Sequence, residues 1–152
     1  MATLLRQSND RRDDPQVRRQ ALNAKPLVLV VEDHDDTRFM LMYLMEMRGY
    51  RVAVAEDGEM AVRMAEQTCP DLILMDASLP RLDGLAATRR IRELAALHDV
   101  PIIFLSGHAQ PSFRAVALET GGDDYLVKPF AIDQLDKVLE RHLPQSRAEK
   151  AD

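Results

Sequence analysis

The stretch LVLVVEDHDD, Leu27–Asp36, sets five apolar residues in a row against four carboxylates in the next five positions. A continuous Leu/Val run of this kind suits a parallel strand covered on both faces. The acids that follow pose a problem. Two full charges 4 Å apart repel by about 4 kcal/mol at an effective dielectric of 20. Like charge packed at the end of a buried strand therefore calls for a cation to offset it.

Working outward, strand-like and helix-like segments alternate. TRFMLMYLMEMRG (37–49) predicts a helix stopped by Gly49, and Asp35 and Asp36 cap it, where the helix dipole favours negative charge. RVAVAE (51–56) alternates like a strand nearer a sheet edge, and DGEMAVRMAEQ (57–67) predicts a helix with Asp57 as N-cap. DLILMD (71–76) is a second buried strand, followed by a helix over GLAATRRIRELAAL (84–97). PIIFLS (101–106) predicts a strand, and PSFRAVALETGG (111–122) a short helix with Pro at its start and Gly at its stop. DYLVK (124–128) and IDQLDKVLERHL (132–143) complete the set as strand and helix. Five such units predict an α/β domain: a doubly wound five-stranded parallel sheet with helices on both faces. Ligands of such sheets bind outside the carboxyl ends of the strands. Glu32, Asp33, Asp76, Ser106 and Lys128 all stand at strand ends.

At 152 residues the chain has room for one ordinary domain. Its apolar content of 46% supports a real core, filled by aliphatics and Met because aromatics are only 5%. No apolar run approaches the roughly 18 residues of a membrane span. Cys69 is the one cysteine, so no internal disulfide forms; we expect a packed thiol in a reducing cytoplasm. The net charge of −5 is uneven: residues 1–25 carry +3, leaving −8 for the rest. An acidic body argues against direct nucleic-acid binding. We read 1–25 as a flexible basic leader, 26–143 as the domain and 144–152 as a short tail.

Four stretches in order, VVEDHDDTR (30–38), LILMDASLPRLDG (72–84), IIFLSGHA (102–109) and DDYLVKPF (123–130), closely resemble the receiver domains of two-component response regulators. The resemblance covers about residues 26–143. It implies a flavodoxin-like sheet of order 2-1-3-4-5, which makes strands 1 and 3 neighbours and crowds Glu32, Asp33 and Asp76 into one pocket. Hard carboxylate oxygens there suit Mg²⁺. The resemblance implies that Asp33 and Asp76 ligate it directly, Glu32 through water, and Ser78 through its backbone carbonyl. It makes Asp76 the acceptor of a phosphoryl group from a sensor histidine kinase or a histidine phosphotransfer protein. Lys128 and Ser106 would contact that group, and Ser106 and Tyr125 would form a switch, Tyr125 turning inward as Ser106 moves. It also implies a cis Lys128–Pro129 bond, and a homodimer contact through helix 4, strand 5 and helix 5. Such a chain modifies and unmodifies itself but turns over no separate substrate, so it is not an enzyme in the usual sense. Its output would be a contact with a downstream protein target. The alternatives are a receiver cut from a hybrid histidine kinase or larger regulator, and a degenerate receiver that only binds partners. Only nine residues follow Leu143, which leads us to expect a stand-alone receiver.

Some residues depart from the family's usual choices. Ser78 and His108 occupy the two variable positions flanking the acceptor, and we expect their pairing to tune dephosphorylation. Gly107 opens the entrance further. His34 lacks another His at ligand spacing, so we expect a solvent-facing or packed side chain. Met40, Leu44 and Met47 fall at helical spacing and predict core and rim packing, while Arg89, Arg90 and Arg92 predict a solvated helix face.

Overall fold

The structure, a computed structural model, describes residues 25–143. The leader and tail expected at 1–25 and 144–152 lie outside it apart from Lys25. Five strands form one parallel sheet in the order β2-β1-β3-β4-β5: β1 (Leu27–Val31), β2 (Arg51–Ala55), β3 (Leu72–Asp76), β4 (Ile102–Ser106) and β5 (Asp124–Val127). Helices α1 (Asp35–Met47), α2 (Gly58–Thr68), α3 (Gly84–Glu93), α4 (Pro111–Thr120) and α5 (Ile132–His142) alternate with them.

The alternation of side chains along each strand divides the core in two. Val28, Val30, Leu72, Leu74, Ile103, Leu105 and Leu126 face Leu41 and Met45 of α1 and Leu135, Val138 and Leu139 of α5. Leu29, Val31, Ile73, Met75, Ile102 and Phe104 face the other way, onto Ala61 and Ala65 of α2, Ala87 and Ile91 of α3 and Ala117 of α4. Small residues on the second face let helices approach closely. Gly84 shows the close approach beside the strand ends, since a Cβ there would fall 2.2 Å from the Asp76 carbonyl oxygen.

Helix starts follow side-chain chemistry. Asp57 accepts from the Met60 N–H at 2.7 Å and Asp83 from the Ala86 N–H at 2.8 Å, each satisfying a first-turn donor. Helix α1 begins two residues before the predicted Thr37. His34 is its N-cap residue, and Asp35 and Asp36 lie inside the first turn rather than capping it. Helix α3 stops at Glu93, short of the predicted Leu97, with a 3₁₀ turn at Ala95–Leu97. The reason is Arg92. Its guanidinium donates to the carbonyls of Leu97, His98, Val100 and Gly121 and pairs with Asp123 at 2.8 Å. Arg92 is thus a clamp between two loops, not part of a solvated face, while Arg89 and Arg90 are exposed as expected.

Two further expectations need correction. Met40 and Met47 are 49% and 66% exposed, and the buried stripe of α1 is Arg38, Leu41 and Met45 instead. Leu44 is half-buried against the α1–α5 core, as expected. Cys69 is exposed rather than packed, because it ends α2 in a left-handed turn with φ of 46°. No described helix is long and apolar enough to cross a membrane.

Candidate functional site: an acidic pocket at the strand ends

The register of β1 against β3 ends with Val31 opposite Met75. One residue further on, Glu32 and Asp76 leave the sheet side by side. Ligand atoms of Glu32, Asp33, His34 and Asp76 lie within 4.8 Å of one another. Glu32 is fully buried and Asp76 is 4% exposed. The carboxylates thus converge from two adjacent strands.

Lys128, the residue after β5, reaches across to this pocket. Its Nζ lies 2.8 Å from Glu32 Oε2 and 3.5 Å from Asp76 Oδ2. The Lys128–Pro129 bond is cis. Burial pushes the Glu32 carboxyl up, but the hydrogen bond and charge of Lys128 outweigh it, and the group lies below its ordinary value. Asp76 goes the other way. Burial, aided by the neighbouring Glu32 charge, raises it to about 6 against the Ser78 N–H and Lys128. The lysine therefore neutralises Glu32 first and leaves Asp76 under-compensated.

The acid set fits a divalent cation. Asp33 Oδ1 is buried and accepts no hydrogen bond, although His34 Nδ1 lies 3.2 Å away, so the oxygen retains capacity to ligate an ion. Hard oxygens of this kind suit Mg²⁺, which keeps several waters and takes few protein carboxylates. Ser78 is exposed, and its backbone N–H donates to Asp76 Oδ1 at 3.0 Å.

Sequence reasoning gave His34 too little. Its side chain is 74% exposed, as expected, yet Nδ1 sits 3.1 Å from Glu32 Oε1 and 3.2 Å from Asp33 Oδ1. The hydrogen bond to Glu32 and the Asp33 charge raise its pKa. A search for a second His could not find this contact, because its partners are the carboxylates of the two preceding residues.

Ser106 is buried at the end of β4, beside β3, and its Oγ accepts from the His108 N–H at 3.0 Å. Tyr125 lies inside the fold at 5% exposure, and its hydroxyl donates to the His108 carbonyl at 2.6 Å. The backbone of His108 is thus held from both sides by the two residues expected to switch. The His108 ring stacks on Phe113 of α4, with centroids 4.6 Å apart, and Phe113 meets the Tyr125 ring edge-on. Ser78, His108 and Phe113 line an open cleft of about 480 Å³ beside Asp33. A Cβ on Gly107 would meet nothing within 4 Å. Phe113 escaped the sequence reading because its spacing marks it only as a helix residue.

Residues 28–140 match the response regulator receiver domain family. The transcriptional regulatory protein PrrA of Mycobacterium tuberculosis is 40% identical over 110 residues, 72% of this chain and 46% of its own length. The alkaline phosphatase synthesis transcriptional regulatory protein PhoP of Bacillus subtilis is 38% identical over 119 residues, 78% of this chain and 49% of its own. The chain thus spans about half the length of these curated relatives. Among solved structures, the receiver domain of the sensor histidine kinase PA1611 of Pseudomonas aeruginosa shares 40% identity at a TM-score of 0.74, covering 80% of this chain and 99% of its own. That domain holds a magnesium ion in its active site cleft. The chemotaxis protein CheY4 of Vibrio cholerae shares 30% identity at a TM-score of 0.75, over 79% of this chain and all of its own.

Proposed function

The chain belongs to the response regulator receiver domain family, and from that premise we propose that it accepts a phosphoryl group on Asp76 and is switched by it. The observation that carries the proposal is the pairing of Asp76, buried and 3.5 Å from Lys128 Nζ, with Glu32 and Asp33, whose ligand atoms lie within 4.8 Å of its own. Phosphoryl transfer asks for positioning and charge neutralisation more than for covalent chemistry from other side chains. A Mg²⁺ ion held by Asp33 and Asp76, by Glu32 through water and by the Ser78 carbonyl would neutralise charge on the phosphoryl oxygens.

This chain's own residues then divide the work. Asp76 is the nucleophile, and its carboxylate attacks the phosphorus of a phosphohistidine while the imidazole leaves. Lys128 exchanges part of its contact with Glu32 for the new phosphoryl oxygens. Ser106 gives up the His108 N–H and donates its hydroxyl to the same group. Loss of that contact loosens one of the two ties on the His108 backbone, and the Tyr125–Phe113 contact carries the change to α4. Hydrolysis later returns the carboxylate. Ser78 and His108 border the cleft through which water arrives and so tune that rate. The chain modifies and restores itself and processes no separate substrate.

A histidine kinase or phosphotransfer protein is the donor in this reading, and a protein target is the receiver of the signal in the cytoplasm, with no direct contact to nucleic acid or membrane. The apolar residues Val116, Leu118, Val127 and Ile132, all at least 36% exposed on α4, β5 and α5, suit a switched contact face or a homodimer. Incubation with Mg²⁺ and acetyl phosphate tests the core of the proposal. Intact mass should rise by one phosphoryl group, and Asp76→Asn should abolish the gain. Labelling that survives this substitution, or that ignores removal of the ion, would refute it.

A further inference from the structure

One buried cation near the pocket has no part in the chemistry above. Arg38 of α1 has a side chain only 7% exposed. Its Nη1 donates to the backbone carbonyl of Glu32 at 3.1 Å. Its Nη2 contacts Asp35 Oδ1 at 2.5 Å and Glu56 Oε1 at 3.4 Å. We propose that Arg38 is a positioning residue for the divalent ion: it fixes the peptide that joins Glu32 to Asp33, and so the direction in which both carboxylates leave β1. This rests on the phosphoacceptor reading of the pocket.

Consider what else holds that peptide. The strand β1 ends at Val31, and beyond it the ladder thins to a single bond from the Glu32 N–H to the Ala55 carbonyl, 3.1 Å. The carbonyl on the far side of Glu32 belongs to the same peptide as the Asp33 N–H. Rotating that peptide swings Asp33 away from Asp76. Arg38 donates to this carbonyl from within α1, so the helix anchors the turn where the sheet no longer does. Anchoring through a charged donor in a buried setting is a strong form of hydrogen bond. Groups that orient ligands from behind typically set metal affinity by about 10–100-fold.

A rival role is electrostatic, and it has the opposite sign. A guanidinium near an acid cluster repels an incoming cation, so deleting it would tighten the ion if charge alone mattered. Asp35 and Glu56 both sit against Arg38, however, and offset much of its field at the pocket. The geometric role therefore dominates, and deletion should weaken binding.

The test uses the full chain and Mg²⁺ alone, titrated by calorimetry, with acetyl phosphate labelling followed across ion concentration. Arg38→Met should raise the dissociation constant for Mg²⁺ by about tenfold, while labelling at saturating ion stays within about threefold of the parent. Arg38→Lys keeps the charge but offers a single ammonium in place of the fork, and should fall between the two. A merely structural residue would lower thermal stability and leave this split between ion affinity and saturating rate unmoved. If Arg38→Met does not fold, Arg38→Lys decides the matter by its Mg²⁺ affinity alone. Affinity equal to the parent, or tighter, in the variants that fold overturns the proposal. A parent chain that binds no Mg²⁺ overturns both this proposal and the phosphoacceptor reading, whereas a parent that binds and variants that match it overturn this one only.

Discussion

Replacing Asp76 should stabilise the protein when divalent ions are absent. Asp76 is 4% exposed, and burial raises its carboxyl from 3.8 to about 6. Such a rise corresponds to about 3 kcal/mol of folding free energy withheld once the group ionises. The sign follows from proton binding. Between 3.8 and about 6 the folded chain holds a proton that the unfolded chain has lost, so stability falls as pH rises through this window. Below it the penalty is absent, and above it the penalty is complete. Asp76→Asn never pays it. Asparagine forfeits the Lys128 contact, which takes back roughly half, leaving about 1–2 kcal/mol of net gain at pH 7.5. Urea denaturation in chelator should show this gap at pH 7.5 and little of it near pH 4. Mg²⁺ at ten times its dissociation constant stabilises the parent by about 1.4 kcal/mol and should close most of the gap. A variant less stable than the parent at neutral pH, or a gap of equal size at both pH values, would show that the pocket is not electrostatically frustrated.

Three other substitutions probe the site and the fold that carries it. Lys128→Ala strips the fully buried Glu32 of its 2.8 Å partner, and urea denaturation at pH 7.5 should register a loss of about 1–3 kcal/mol along with a large fall in acetyl phosphate labelling. Gly84→Ala drives a methyl group against the Asp76 carbonyl oxygen, and a thermal melt should show destabilisation of about 1–3 kcal/mol with weakened Mg²⁺ binding. Asp124 is buried, which raises its carboxyl, but the Tyr125 N–H, His142 and Arg141 together hold it below its ordinary value. Its stabilisation is therefore present above 3.8 and is lost as pH falls through the lower folded value; Asp124→Ala should cost about 1–3 kcal/mol at pH 7 and flatten the acid limb of the stability curve.

The sheet was legible because its strands are apolar on both faces and its helices start on Asp57, Asp83 and Pro111, chemistry that is local. The convergence of Glu32, Asp33, Asp76 and Lys128 was legible for a different reason: each stands at a strand end, and parallel topology sends all strand ends to one edge. What stayed hidden depends on where long side chains travel. Arg92 looks like one of three surface arginines until its guanidinium is followed to carbonyls five to 29 positions away. Arg38 sits between Thr37 and Phe39 with nothing in its spacing to mark it as buried. Met40 and Met47 fit a helical stripe, but α1 rests on Leu41 and Met45, and a pattern so rich in apolar residues does not reveal which stripe turns inward. His34 faces solvent as expected, but its contact with the Glu32 and Asp33 carboxylates depends on side-chain directions that spacing does not carry.

The uneven sharing of Lys128 gives these details a common logic. An amine placed equally between Glu32 and Asp76 would pair both and leave a satisfied, inert pocket. The ammonium lies 0.7 Å closer to Glu32 than to Asp76. Glu32 is thereby kept charged, while Asp76, the group assigned the chemistry, carries the cost of burial. Arg38 holds the Glu32 backbone carbonyl from behind. Such a pocket is poised for whatever delivers further positive charge. On the phosphoacceptor reading, Asp33 and Asp76 would hold a divalent ion, which would supply that charge and favour the ionised Asp76 carboxylate. A phosphoryl group on Asp76 would then draw Lys128 and Ser106 to itself. An ion bound there would offset the burial cost that Asp76 carries, and readiness for phosphorylation would then be coupled to occupancy of the metal site.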